Sequence, residues 1–303
     1  MITLKKYREQ LSEFYEYLLD KLFKKELCIV DKLMLSSIGA RTCYSTAPNW
    51  EELTKDPRIS DENERFAFLE RLYEAKHDSI FAHSPTLFVE DGRFTRFNVF
   101  KLWQFYDEKE NKTYFCANAR HLVEAMRYKN LSFDVLISYI RNQKKPTLNP
   151  VLQKEEDMNV AVVKLPETNP WFWISVIAFG VSRVMTHQYV RHTWLNFSQR
   201  SHRYTKVEGV VCPNSIKEDP EAKELFYKAY YEVGSAYLDL VKLRCIKKED
   251  ARFIMPNGSA TTIMASAPRF VWEDFMEKRC HPKAQWEIRK FASMVKAVLN
   301  ETR

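Results

Sequence analysis

Apolar residues recur at helical spacing from the start of the chain to about Glu26, and again from Asp61 to Lys76, where Phe66, Leu69, Leu72 and Tyr73 fall on one stripe. Both segments are expected to be surface helices packed by one face. Ser84 to Glu90 reads as a strand, and Val99 to Tyr106 and Thr113 to Cys116 flank a polar turn at Lys109 to Lys112, which predicts a hairpin. Asn118 to Arg127 and Phe133 to Arg141 read as helices, and Lys144 to Pro150 as a loop. Asn159 to Leu165 and Ile174 to Arg183 are strand-like, the second passing directly into a helix around Val184 to His192. The longest apolar run, Trp171 to Val181, is too short to span a bilayer and is expected to be a buried strand. Further helices are expected over Asp219 to Leu243, Lys248 to Phe253, Pro268 to Arg279 and Ala284 to Leu299. The pattern predicts an α+β fold with helices around a mostly antiparallel sheet.

The 303 residues could make one elaborated domain or two. With 45% hydrophobic and 29% charged residues, few glycines and no internal repeat, the composition is that of a globular chain. A net charge of +7 favours acidic ligands, but the positive charge is dispersed among many acidic residues, so small phosphorylated ligands fit better than nucleic acid. Six cysteines are scattered singly, the pattern of reduced cytoplasmic thiols, and the first ten residues lack the apolar region of a signal peptide. No membrane association is expected.

Charge changes the picture most between Glu167 and Glu208, where no carboxylate occurs. Within that window Gln188, Arg191, His192, Thr193, Ser198, Gln199, Arg200, Ser201, His202 and Arg203 are interleaved with Tyr189, Trp194, Leu195, Phe197 and Tyr204. Guanidinium forks, imidazoles, hydroxyls and carboxamides are the groups that grip phosphate and a nucleobase edge, and without acidic neighbours their potential stays positive. If Val184 to His192 is helical, Gln188 and His187 share a face with Arg191. If Thr193 to Tyr204 is extended, Ser201 and Arg203 point one way and Arg200 and His202 the other. Two other chemistries are disfavoured. His187, His192 and His202 lack the spacing and the carboxylates of a metal site, and Ser201 next to His202 has neither the strand geometry nor the elbow motif of a nucleophile. No glycine fingerprint for a nucleotide cofactor occurs. Trp286, near the start of the last helix, is expected to be a packing residue.

Four blocks in order, Gly39 to Tyr44, His77 to His83, Gly180 to Tyr204 and Ala251 to Arg289, resemble the flavin-dependent thymidylate synthases. The strongest likeness is Arg191-His192 followed by Ser198 to Tyr204, and Ala284 to Arg289 matches the family's AQWEIR signature. The resemblance implies reductive methylation of dUMP to dTMP, with methylenetetrahydrofolate as one-carbon donor, FAD as redox carrier and NADPH as electron source. It places Gln188, Arg191, Gln199, Arg200, Ser201, His202, Arg203 and Arg252 around the nucleotide, with Arg203 and Arg252 near its phosphate and Arg279 along the uracil edge. Arg279 and Ser201 are the expected catalytic-site residues, Ser201 positioning the nucleotide and not attacking it. The resemblance puts Ser79, Arg191, His192, Thr193, Gln199 and Asp274 along the flavin, His77 near the folate, and metal nowhere.

The chain also departs from the family pattern. Thr193 stands where the family has an arginine, Ala82 where a glutamate is common, and Lys283 where a histidine often contacts flavin. Ala267-Pro268-Arg269 replaces an expected Asn-Ala-Arg, a triplet found instead at Asn118-Ala119-Arg120. The expected organisation is a single domain over 1–303 with an insertion at about 91–169, assembled as a homotetramer with flavin between subunits. Two other readings share this site: a different flavin-linked one-carbon modification of a pyrimidine nucleotide, and a non-catalytic nucleotide-binding homologue.

Overall fold

The computed structural model describes residues 3–144 and 147–301, so Lys145 and Pro146 of the expected loop lie outside the described residues. The first part of the chain forms α1 (Leu4–Phe23), α2 (Met34–Tyr44), the short α3 (Trp50–Thr54) and α4 (Pro57–Ser60), and α5 (Glu62–Glu74). A 3-10 turn, Asp78–His83, leads into β1 (Pro85–Asp91), followed by β2 (Trp103–Asp107), β3 (Lys112–Asn118), α6 (Ala119–Tyr128) and α7 (Phe133–Arg141). Strands β1, β3 and β2 make an antiparallel three-stranded sheet in that order. Next come β4 (Pro150–Glu155), β5 (Met158–Leu165), β6 (Trp173–Ser182), α8 (Arg183–Tyr189) and β7 (Asn196–Gln199). The chain ends through α9 (Asn214–Lys217), α10 (Pro220–Lys242), α11 (Lys248–Ala251), β8 (Ala260–Pro268), α12 (Arg269–Arg279) and α13 (Trp286–Asn300).

The second sheet is antiparallel throughout, in the order β4-β5-β6-β8-β7. Its centre, β6, alternates nothing because both faces are covered, and Val176, Ile177 and Ala178 are fully buried with Trp272, Phe291 and Val295. A second core gathers α1, α5, α6, α7 and the three-stranded sheet around Phe14, Phe66, Phe115 and Phe133. The α+β class expected from the sequence is the observed one, with two sheets in place of one.

The end of β6 is shaped for the site. Gly180 has φ +71°, the register against β8 slips between Phe179 and Val181, and a Cβ on Gly180 would collide with the Asp157 carbonyl. After this bulge Ser182 caps α8, its Oγ accepting from Met185 N–H at 3.0 Å. Buried Glu287 of α13 accepts from both the N–H and the Oγ–H of Ser182 and so ties the strand-to-helix junction to the last helix.

Four local expectations change. The β2 strand starts at Trp103 and not at Val99, because Lys101 sits at φ +60° and Leu102 N–H bonds Val99 O in a turn. Helix α8 stops at Tyr189, short of His192. The extended stretch is only Asn196–Gln199; beyond it Tyr204 and Thr205 N–H both bond Ser201 O and the chain turns. Burial still alternates there, with Arg200 and His202 inward and Arg203 outward. Finally β8, which no sequence pattern announced, is an inner strand of the site sheet, between β6 and β7.

Candidate functional site

Arg279, at the end of α12, closes over the end of α8. Its Nε donates to His192 Nε2 at 2.8 Å, Nη1 to Gln188 Oε1 at 3.2 Å and Nη2 to Gln188 O at 3.1 Å. The first bond requires an unprotonated His192 Nε2. Burial, then the charges of Arg279 and Lys278, hold the His192 pKa down to about 4, with Asp274 acting weakly the other way. The edge of the imidazole meets the Phe275 ring, centroids 4.9 Å apart. Asp274 itself is ion-paired to Lys278 at 2.6 Å. Arg191 is exposed and near enough that its charge, after burial, lowers the pKa of Arg279. Thr193 is exposed beside this group. Gln188, Arg191, His192, Asp274 and Arg279 therefore stand together, with Gln188 and His192 the pair that accepts from Arg279.

A second basic group surrounds His202, which is 5% exposed and whose Nε2 is buried without a hydrogen-bond partner in the structure. Burial first, then Arg183, Arg200 and Arg252, push its pKa down to about 4. Arg183, the first residue of α8, was not singled out from the sequence, though it lies inside the carboxylate-free window. Its own pKa is lowered by burial and by Arg252. Arg200 is turned inward, donating to Thr205 Oγ1, Lys206 O and Glu208 Oε2 at 3.3–3.4 Å, and so braces the turn that carries Ser201 to Arg203. Arg203 is exposed and donates to Glu249 Oε2 at 2.8 Å, while Arg252 Nε donates to Glu249 O at 3.1 Å. The expectation of a cluster without acidic neighbours thus needs correction. It holds along the sequence, but the fold brings Glu249 to Arg203 and Glu208 to Arg200.

The four sequence blocks meet around this face. Ser201 N–H bonds Cys43 O at 2.8 Å, and the rings of Tyr44 and Tyr204 lie 5.3 Å apart. His83, fully buried, joins Ser198 Oγ through Nε2 at 2.9 Å and Ser266 Oγ through Nδ1 at 2.8 Å. Gly39 packs so closely on the His83 ring that a Cβ there would clash. Gln199 Nε2 donates to Thr186 Oγ1 at 2.9 Å, fastening β7 to α8.

Other expected residues lie apart from these contacts. His77 and Ser79 are exposed at the opposite end of the 3-10 turn from His83, and Asp78 between them pairs with Arg127 of α6 at 2.7 Å. Among the described residues no hydrogen bond or ion pair joins His77 or Ser79 to Arg279 or His202 and their neighbours. Ala82 is buried and Lys283 exposed. Asn118-Ala119-Arg120 starts α6, with Arg120 paired to Glu124, and Ala267-Pro268-Arg269 joins β8 to α12, with Arg269 bonded to Glu273 and Leu299 O. No helix among the described residues is long and apolar enough to cross a membrane.

Comparison with known proteins bears on this arrangement. Residues 173–302 match the family model described as thymidylate synthase complementing protein. The flavin-dependent thymidylate synthase of Nitratidesulfovibrio vulgaris is 38% identical over 133 residues, covering 40% of this chain and 54% of the relative. That of Sulfurisphaera tokodaii is 38% identical over 117 residues, 37% of this chain and 44% of the relative, and that of Pyrococcus abyssi 40% identical over 119 residues, 37% and 48%. The chain thus spans about half the length of the curated relatives it matches. The part of the chain that is similar to this family, residues 173–302, is the segment that carries both basic groups.

Proposed function

We propose that the protein is a flavin-dependent thymidylate synthase, converting dUMP to dTMP by reductive methylation at uracil C5, with methylenetetrahydrofolate as one-carbon donor and NADPH as reductant. The observation that carries this reading is the pairing of two basic groups on one short helix: guanidinium groups around the orphaned His202 Nε2 at the start of α8, and the Arg279 fork at its end. Arg203 and Arg252, with Arg200, Ser201 and His202 on the bracing turn, take the nucleotide phosphate side. Arg279, held by Gln188 and His192, lies along the uracil edge, where a fixed cation favours the N3-deprotonated base and makes C5 more nucleophilic. Ser201 positions the nucleotide.

A phosphorylated flavin such as FAD fits the donor set beside Arg279. Arg191 and Thr193 are exposed, His192 is neutral, and the one carboxylate, Asp274, is already paired with Lys278. With Ser79 and Gln199 these residues would hold it, and the bound flavin would supply the redox step between NADPH and the one-carbon unit. His77 would lie near the folate. A site completed between subunits of a homotetramer would account for the lack, among the described residues, of a contact between His77 or Ser79 and the Arg279 group. A single domain with an elaboration at about 91–169 and a cytoplasmic location belong to the same reading.

Tritium release from C5-labelled dUMP, with methylenetetrahydrofolate, NADPH and FAD added, tests the proposal. Release dependent on all three is expected; absence of release from protein that binds dUMP would overturn the catalytic part. The departures at Thr193, Ala82 and Lys283 favour, as a second reading, a nucleotide-binding homologue without productive flavin. Purified protein that shows no flavin absorbance, even after incubation with FAD, would favour that second reading.

A further inference from the structure

We infer that Lys101 is a positioning residue of this site: its ammonium holds the His192–Asn196 turn in the place from which His192 receives Arg279. Lys101 lies outside the segment that matches the family. It rests on the reading of the Arg279 group as part of the dUMP and flavin site.

The geometry is a clamp made by consecutive residues. Lys101 adopts φ +60° in a tight turn closed by Leu102 N–H to Val99 O at 3.1 Å. From that turn Lys101 Nζ donates to Leu195 O at 2.8 Å and to Asn196 Oδ1 at 2.9 Å. Asn196 is fixed on its other side, Nδ2 donating to Ser266 O of β8 at 3.2 Å. The Phe100 ring packs on Trp194 with centroids 5.0 Å apart, and Phe100 O accepts from His121 Nε2 at 3.0 Å. Residues 100 and 101 thus hold residues 194 to 196 by carbonyl, carboxamide and ring. The link onward is short, because Leu195 N–H bonds His192 O at 2.9 Å and His192 N–H bonds Tyr189 O at 3.1 Å. A shift at Leu195 has little chain in which to be absorbed before it reaches the imidazole.

Packing alone does not account for a lysine here. Among the described residues no carboxylate pairs with Lys101, and burial, then Arg120, lowers its pKa to about 8. A partly desolvated cation without a counter-ion is destabilising in itself, and methionine would fill the same space without that cost. What methionine cannot do is donate to Leu195 O and Asn196 Oδ1.

The test compares wild type, Lys101→Met and Lys101→Arg as full chains. Without ligand, amide exchange over residues 192–197 should be about tenfold faster in Lys101→Met, with β5 and β6 unchanged, and near wild type in Lys101→Arg. Turnover at saturating dUMP should fall about tenfold or more in the methionine variant, flavin affinity should drop, and the arginine variant should recover a substantial part of both. Unchanged exchange in Lys101→Met would overturn the clamp, and faster exchange with unaltered turnover and flavin affinity would overturn its role at the site. If wild type binds neither dUMP nor flavin, the functional reading fails while exchange still decides whether Lys101 holds the turn.

Discussion

Arg279 engages all three of its nitrogens with two residues, His192 and Gln188, and that fork is what lysine lacks. Arg279→Lys is therefore expected to lower turnover more than dUMP affinity, by about tenfold to a hundredfold if one charge-assisted bond of roughly 1.5–3 kcal/mol is lost. Paired dUMP titration and single-turnover kinetics check it, and normal turnover would remove Arg279 from the chemistry. Arg203 presents the opposite case, an exposed guanidinium already engaged by Glu249. Glu249→Gln should free it and tighten dUMP about two- to fivefold, with a steeper salt dependence and no change for deoxyuridine. Equal affinity in the variant would mean that Arg203 does not reach the phosphate. These residues differ in how legible they were. Gln188, Arg191, His192 and Arg203 stand in one stretch whose charge pattern is visible along the chain. Glu249 is 46 residues from its partner and Lys101 is 94 from Leu195, so only the folded chain reveals those pairings.

Among the elements, the periodic helix Phe133–Arg141 came through to the residue, and the β2/β3 hairpin in its turn and pairing, though its first strand starts four residues later than expected. β8 did not, and its composition explains why. Ala260–Pro268 is mostly small and hydroxyl-bearing, with no alternation, because it is covered on both faces and must let α2 and the His83 turn approach closely. α2 was hidden for a similar reason, as Gly39 and Ser36 sit in its middle to admit His83 and Ser84. The junction of β6 with α8 yields an element-scale prediction. Glu287→Ala would leave the Ser182 N–H and hydroxyl without their buried acceptor, costing roughly 2–4 kcal/mol. The denaturant midpoint should fall accordingly, and by less in Glu287→Gln, which keeps one oxygen. A midpoint unchanged in the alanine variant would show that α13 does not anchor the junction.

At the scale of the molecule, three nearly inaccessible histidines are held neutral by burial: His83, pushed down to about 3, and His121 and His202, to about 4. Their ordinary value is about 6.5. Between roughly pH 6.5 and 4 the unfolded chain therefore carries protons that the native state refuses, so stability rises with pH through that window and is lost on acidification. Asp31 acts the other way, since burial raises it to about 6 and the native state gains a proton below that pH. With His192, also held down to about 4, four histidines against one aspartate leave about three protons, a slope of roughly 4 kcal/mol per pH unit at most. Denaturant midpoints measured from pH 7 to 4.5 should fall steadily; a flat profile would show that the native state admits these protons.

The partner of β6 on one side is β8, but on the other it is β5, and β5 lies before the segment that matches the family. Cut out as a portable module, residues 173–302 would leave the edge of β6 from Trp173 to Phe179, now paired with β5, with its outward backbone donors and acceptors open to another chain. Such a fragment is expected to self-associate or precipitate, and to become soluble when residues 3–172 are supplied in trans as a complementing piece.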